Sequence, residues 1–199
     1  GSVVTWGDTL SGNSSKVGDE LSSGVVQISA STDALAALKD DGSVVRWGIE
    51  YDSGYDNPNF ASNLDNELKS NVVKIFSNLR AFAALKTNGS VVCWGDPYYG
   101  ADNNKVSKEL QSGVVEIFST SSAFAALKSN GSVITWGENK AGADSSKVQD
   151  LLNLGVVSIA STDFAFAALK DDGSVVSWGN KEYGGTSDNI LGLKSSVSN

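Results

Sequence analysis

The sequence predicts an all-β fold built from repeated antiparallel units, and three observations carry that expectation. First, a heptapeptide returns five times: GSVVTWG (1–7), GSVVRWG (42–48), GSVVCWG (89–95), GSVITWG (131–137) and GSVVSWG (173–179). Its tryptophans, Trp6, Trp47, Trp94, Trp136 and Trp178, lie 41, 47, 42 and 42 residues apart and are the only ones in the chain. A period in this range means one supersecondary unit copied, with stacked neighbours supplying the core. Second, an Asp-Gly or Asn-Gly step precedes four of the copies and separates two apolar runs, the strongest short-range hairpin signal. Third, 21 glycines against 2 prolines suit a chain with many tight turns.

Each full unit has the same parts in order. It opens with V-V-x-I at Val25–Ile28, Val72–Ile75, Val114–Ile117 and Val156–Ile159, short and β-branched as strands are. A-[LF]-A-A-L-K follows at 34–39, 81–86, 123–128 and 165–170, then the polar step with Gly, then S-V-[VI]-x-W-G. The second and third runs are expected to pair as a hairpin. In the third, Val92 and Trp94 share one face and Val91 and Cys93 the other, so both faces are apolar and the sheet is expected to be covered on both sides. The small Ala84 and its equivalents predict close approach between sheets. The five tryptophans are expected in the core.

The segments after W-G differ. In 137–155, Val148, Leu151 and Leu152 fall at helical spacing. Asp144 or Ser145 stands as N-cap and Gly155 as the stop, which predicts a helix of two turns. Val106 with Leu110, and Val17 with Leu21, repeat the pattern. Asp102 is read as a cap like Asp144. The second copy is longer by five residues, an insertion around Tyr51–Phe60. The units run approximately 1–24 (partial), 25–71, 72–113, 114–155 and 156–199, read as one repeat domain.

Composition narrows function. A net charge of −8 opposes nucleic acid or an anionic membrane as partner, because phosphate binding needs clustered Lys and Arg. No run is long enough to span a bilayer. The lone Cys93 permits no intrachain disulfide, and the absence of His removes the commonest general base and metal ligand. No cofactor or metal site is expected. The chain starts in mid-repeat, without Met or a charged-then-apolar leader, and is read as a processed product or an excerpt of a longer repeat polypeptide, whose compartment the sequence leaves open.

The string I-x-S-x-x-x-A-F-A-A-L-K-x-[DN]-G-S-V-V-x-W-G resembles the repeat of the regulator of chromosome condensation family, whose signature runs I-A-x-G-x-x-H-[ST]-x-A-L-x-x-D-G-x-V-x-x-W-G. All four full units match at A-L-K, D/N-G, V and W-G. In brevity the unit is similar to the bacterial beta-lactamase-inhibitor propeller of that superfamily. The resemblance implies β-propeller blades of about 42 residues with a short helix between them, four complete and the termini partial. The family's Gly and His before the second strand are replaced here by residues such as Ser161-Thr162-Asp163-Phe164. Residues for nucleotide exchange or chromatin binding have no counterpart. Fold carries over; activity does not. Leu193–Val197 parallels Leu68–Val72, so a fifth opening strand is expected to begin there.

Asp40, Asp41, Asp171 and Asp172 form acidic pairs, but two copies put Thr-Asn or Ser-Asn in the same turn, so backbone geometry explains them. All five tyrosines follow a W-G: Tyr51, Tyr55, Tyr98, Tyr99 and Tyr183. With Phe60 they predict an aromatic rim for a partner, with Tyr99 and Tyr183 also suited to the turn because each precedes Gly. Asn13, Asn88 and Asn130 open glycosylation sequons, the last two already demanded by the hairpin. The expected function is a non-enzymatic scaffold or protein-binding module, self-association included. The alternative is a lectin-like propeller binding carbohydrate.

Overall fold

A computed structural model describes residues 1–7, 10, 12–49 and 58–186, with only the backbone of 58–62. Twelve strands form four three-stranded antiparallel sheets. The first holds β1 (Val25–Ala30), β2 (Ala34–Lys39) and β3 (Val44–Gly48); the second, β4 (Val72–Ser77), β5 (Ala81–Lys86) and β6 (Val91–Gly95). The third holds β7 (Val114–Ser119), β8 (Ala123–Lys128) and β9 (Val133–Gly137); the fourth, β10 (Val156–Ser161), β11 (Ala165–Lys170) and β12 (Val175–Gly179). Helix α1 (Pro58–Glu67) lies in the long second connection, and α2 (Gln149–Leu152) precedes β10. The chain divides into two compact units, Gly1–Asp102 and Asn103–Asn199, each with two sheets.

The hairpin register repeats without a slip. Leu35 faces Trp47, Phe82 faces Trp94, Phe124 faces Trp136 and Phe166 faces Trp178 across the second and third strands. In three sheets the rings stack, with centroids 5.1, 5.4 and 5.3 Å apart. Every first strand carries a bulge one residue in, such as Val72/Lys74, which restores the alternation on which Ile75 faces inward. The W-G glycine is required twice over. Gly95 has φ +109°, and a Cβ there would stand 2.4 Å from the Arg80 carbonyl.

Within a unit, one sheet covers the next. Ala34, Ala36 and Leu38 of β2 pack on Ile75, Phe82 and Trp94. In the other unit Ala123, Ala125 and Leu127 of β8 pack in the same way on Ile159, Phe166 and Trp178. The alanines at the sheet contacts are fully buried, which is the close approach their size predicts. The main chain joins neighbouring sheets at both ends: Val72 N–H donates to Gly42 O (3.0 Å) and Val156 N–H to Gly131 O (3.0 Å), and Thr32 N–H donates to Leu79 O (2.8 Å) and Ser121 N–H to Asp163 O (2.9 Å).

Two expectations are corrected. Trp47, Trp94, Trp136 and Trp178 are buried, but Trp6 is 85% exposed. Among the described residues it lacks the Leu or Phe that faces each of the other four. The connecting helices are also shorter than two turns. The four-residue α2 is flanked by Val148, whose side chain makes no cap bond, while Asp144 accepts the N–H of Ser146 and Ser145 meets Gln149. Val106 and Leu110 fall in separate 3₁₀ turns, and Leu21 in another. The inserted copy buries both Leu64 and Leu68, but each shorter connection has a single buried leucine, Leu21, Leu110 or Leu152, which is all its packing requires. A second turn would bury nothing more. The long α1 belongs to the inserted copy. The proposed fifth strand at 193–197 lies outside the described residues.

Candidate functional site

The turn after W-G is built alike in three copies. At Asp96, Glu138 and Asn180 the side chain accepts the N–H two residues on, from Tyr98 (2.9 Å), Lys140 (3.2 Å) and Glu182 (3.0 Å). One 3₁₀ turn follows in each case: Pro97–Tyr99, Asn139–Ala141 and Lys181–Tyr183. A glycine at positive φ closes it, Gly100, Gly142 or Gly184. The entry is pinned to the neighbouring connection by Asp96 N–H to Arg80 O, Glu138 N–H to Ser122 O and Asn180 N–H to Phe164 O, each 2.9 Å. So pinned, the turn has little freedom, and the side chain at its tip is presented on a rigid mount.

Those tips are Tyr98, Lys140 and Glu182, all exposed, Tyr98 by 78%. Tyr99 does something else. It is half-buried, its carbonyl accepts from Asn78 Nδ2 (2.7 Å), and Arg80 sits over its ring at 5.6 Å. Tyr183 repeats that role, its carbonyl meeting Thr162 Oγ1 (3.2 Å) and its ring tilted on Phe164 (4.7 Å). Tyr51 and Tyr55 lie outside the described residues. Phe60 sits in α1, and its side chain is outside them too.

The opposite edge of each sheet carries the hairpin turns. Asp41, Asn88, Asn130 and Asp172 each accept the N–H and hydroxyl of the serine two residues on, at 2.5–3.0 Å. The Ser43 and Ser174 hydroxyls, with their N–H groups, hold the Asp41 and Asp172 carboxyls below the ordinary aspartate range. These acids are turn acceptors and are not poised for proton transfer. The sequon residues Asn13, Asn88 and Asn130 are exposed, with Oδ1 engaged by Ser15, Ser90 and Ser132.

Two features escaped sequence reasoning. The variable residue of V-V-x-W-G ties down the loop that follows: Thr5 bonds Ser14 (2.6 Å), Arg46 pairs with Asp65 (2.9 Å), and Thr135 bonds Ala143 O (2.7 Å) and Ser145 (3.0 Å). A polar residue between two apolar ones in a strand covered on both faces was the available signal. The terminal lysine of A-A-L-K also reaches back to the connection. Lys39, Lys86, Lys128 and Lys170 donate to the carbonyls of Glu20, Glu67, Glu109 and Leu151, each 19 residues earlier. A hollow of about 210 Å³ beside Ser177 has a mixed lining that includes Val148 and Trp178, and Asp144 and Ser145 on its wall are already engaged in turn bonds. Among the described residues no three His, Cys, Asp or Glu gather as metal ligands.

Residues 72–101 match the model of the regulator of chromosome condensation (RCC1) repeat. The fold is similar to that of Prp20p from Saccharomyces cerevisiae, studied for its binding to Gsp1p and histones, with TM-score 0.55 and 21% identity over 86% of this chain and 48% of that one. It is similar also to yeast RCC1 (Prp20) in a complex with Kap60, with TM-score 0.51 and 21% identity over 78% and 42%. The chain thus spans less than half the length of either. No curated protein matches it. At such identities the likeness is one of fold, and it agrees with the sequence pattern unit by unit. One unit of the chain thus matches the regulator of chromosome condensation repeat, and the four sheets have the fold of β-propeller blades of that kind.

Proposed function

We propose that this chain is a non-enzymatic scaffold that binds a protein partner through the turns after W-G. One observation carries the reading: the same capped turn, held by the same bonds, presents three different exposed side chains, Tyr98, Lys140 and Glu182. On a repeating frame, specificity resides where the copies differ, and an exposed tyrosine on a rigid mount is a common anchor of protein interfaces. The proteins of like fold are described with protein partners, Gsp1p and histones for Prp20p and Kap60 for yeast RCC1, which supports that class of ligand. Tyr51, Tyr55 and Phe60 of the inserted copy extend the contact set, and Tyr99 positions the turn that carries Tyr98. A lectin would repeat one aromatic at each tip. Tyr, Lys and Glu there favour a protein.

The test compares partner recovery by the intact chain, by Tyr98→Ala and by the triple Tyr51/Tyr55/Tyr98→Ala variant. Loss of at least about 2 kcal/mol of binding with an unchanged melting temperature is expected if these tyrosines are hot spots. Equal recovery by folded variants would remove the rim from the reading. A glycan array with hits would move the assignment to carbohydrate.

A further inference from the structure

The fourth unit departs from the other three at two exposed positions. The residue whose carbonyl takes the lysine is Glu20, Glu67 or Glu109 in the first three units and Leu151 in the fourth. The residue before the positive-φ turn, Ser23, Ser70 or Ser112 in the others, is Leu154 there. Every one of these residues is exposed, Leu151 by 50% and Leu154 by 65%. Nothing in the blade requires the change. Leu152, between the two, fills the core position that Leu21, Leu68 and Leu110 fill elsewhere, and Lys170 uses only the main-chain carbonyl of Leu151 (2.7 Å). Leucine in place of a solvated Glu or Ser therefore adds apolar surface without packing. The pair also falls on one side. After α2, Asn153 keeps helical angles (φ −74°, ψ −19°), so residues 151 and 154 lie one turn apart.

The ground around the leucines is acidic. The hairpin turn of the same sheet abuts them: Asp171 N–H donates to Gly155 O (2.8 Å), and a Cβ on Gly155 would stand 3.0 Å from Asp171 Oδ1. Asp172 follows, its carboxyl held below the ordinary aspartate range by Ser174, and Asp150 precedes Leu151. All three aspartates are exposed. Lys170, the cation of the group, is drawn onto the Leu151 carbonyl. The third unit has Ser129 and Asn130 in that turn, and the first has Asp40 and Asp41 but Glu20 and Ser23. Leucines and carboxylates coincide in the fourth unit alone among the four.

We propose that Leu151 and Leu154, with their aspartate rim, form a docking surface separate from the turns after W-G. Its occupant is a basic amphipathic segment of a partner protein, with apolar side chains set between lysines or arginines. The exposed leucines supply contact that sheds water on binding, and the carboxylates select the sign of the partner and speed its approach. The same rim opposes a second copy of this chain, because a two-fold contact would set aspartate against aspartate. The proposal involves none of Tyr98, Lys140 and Glu182, so it stands or falls apart from the turn reading.

The test is titration of the labelled peptide LKKLLKLLKKLLKL, leucine on one face and lysine on the other, with the 1–199 chain, followed by fluorescence anisotropy. Circular dichroism is the fold control. Saturable one-to-one binding that weakens as salt rises is expected. The Leu151→Glu/Leu154→Ser chain carries the residues that the first three units carry there, so it should fold and melt as before. It should bind about tenfold more weakly or worse, although it is the more negative chain. Asp171→Ser/Asp172→Asn, which restores the turn of the third unit, should weaken binding several-fold, and the peptide with glutamate for every lysine should not bind. Absence of saturable binding overturns the proposal, as does equal binding by either double variant or by the acidic peptide. So does a concentration-dependent dimer that Leu151→Glu/Leu154→Ser abolishes, since the face would then belong to a second copy.

Discussion

Asn71 is the one non-glycine with positive φ among the described residues, at +67°, and it stands where Gly24, Gly113 and Gly155 stand in the other copies. Asn tolerates that region through its short polar side chain, so the position keeps its geometry without glycine. Its carbonyl accepts the N–H of Thr87, as those of the three glycines accept from Asp40, Ser129 and Asp171. Asp and Asn trade places just as freely in the hairpin turns, because only the Oδ1 acceptor is used. The aspartates add a pH dependence that the asparagines lack. Serine bonds lower the Asp41 and Asp172 pKa in the folded chain. The stability they contribute is therefore present above the unfolded aspartate pKa and is lost as pH falls through the depressed folded value. Carboxyl NMR titration should place both midpoints below the ordinary aspartate value. Asp172→Asn should leave neutral stability unchanged and flatten its share of the acid loss; an ordinary midpoint at Asp172 would refute the serine bond.

The lysine that ends each second strand explains why connections this short hold together. A helix or 3₁₀ turn leaves its last carbonyls without partners, and a cation placed there satisfies them and complements the local dipole. Lys170 Nζ donates to Leu151 O (2.7 Å) at the end of α2, one residue before the buried Leu152. Lys86 meets both the carbonyl and the carboxylate of Glu67 (2.8 Å each) at the end of α1. Hence one contact serves a ten-residue helix, a four-residue helix and bare 3₁₀ turns alike. Lys170→Met keeps the apolar stem and deletes the donor. A loss of about 1 kcal/mol in denaturant unfolding is expected, the usual scale of a hydrogen bond in which one partner is charged and half-exposed. No change would make the lysine a surface residue that merely lies nearby.

Across the molecule, the same tryptophan has two fates according to what stands beside it. Trp94 is 2% exposed, stacked on Phe82 and covered by the alternate residues of β2. Trp6, in a heptapeptide that differs from that of Trp94 only by Thr5 for Cys93, has no facing strand among the described residues and is 85% exposed. Trp94→Ala should therefore cost about 3–5 kcal/mol, the range for a large aromatic lost from a packed core, and Trp6→Ala within about 0.5 kcal/mol. Thermal unfolding of the two variants checks this directly, and comparable losses would mean that Trp6 is covered in solution.

The sequence by itself determined the unit, its strands and its hairpin register. Those are set by alternation and by turn residues, both local and both repeated. Asp-Gly and Asn-Gly placed the turns and paired A-F-A-A-L-K with S-V-V-x-W-G, and the structure sets Phe82 opposite Trp94 within that pairing. It also marked the turn after W-G as the place where copies diverge, through Tyr98. What it could not supply was anything decided by a residue distant in the chain. The apolar spacing of Val148, Leu151 and Leu152 reads as a two-turn helix, yet only Leu152 is fully buried; Val148 packs at the margin of the core and Leu151 stays half exposed. The tie from Lys170 to a carbonyl 19 residues earlier has no local signature. Nor does a heptapeptide reveal whether its tryptophan is covered, because burial depends on the facing strand and the next sheet. Tertiary packing made that choice, and it separated Trp6 from its four copies.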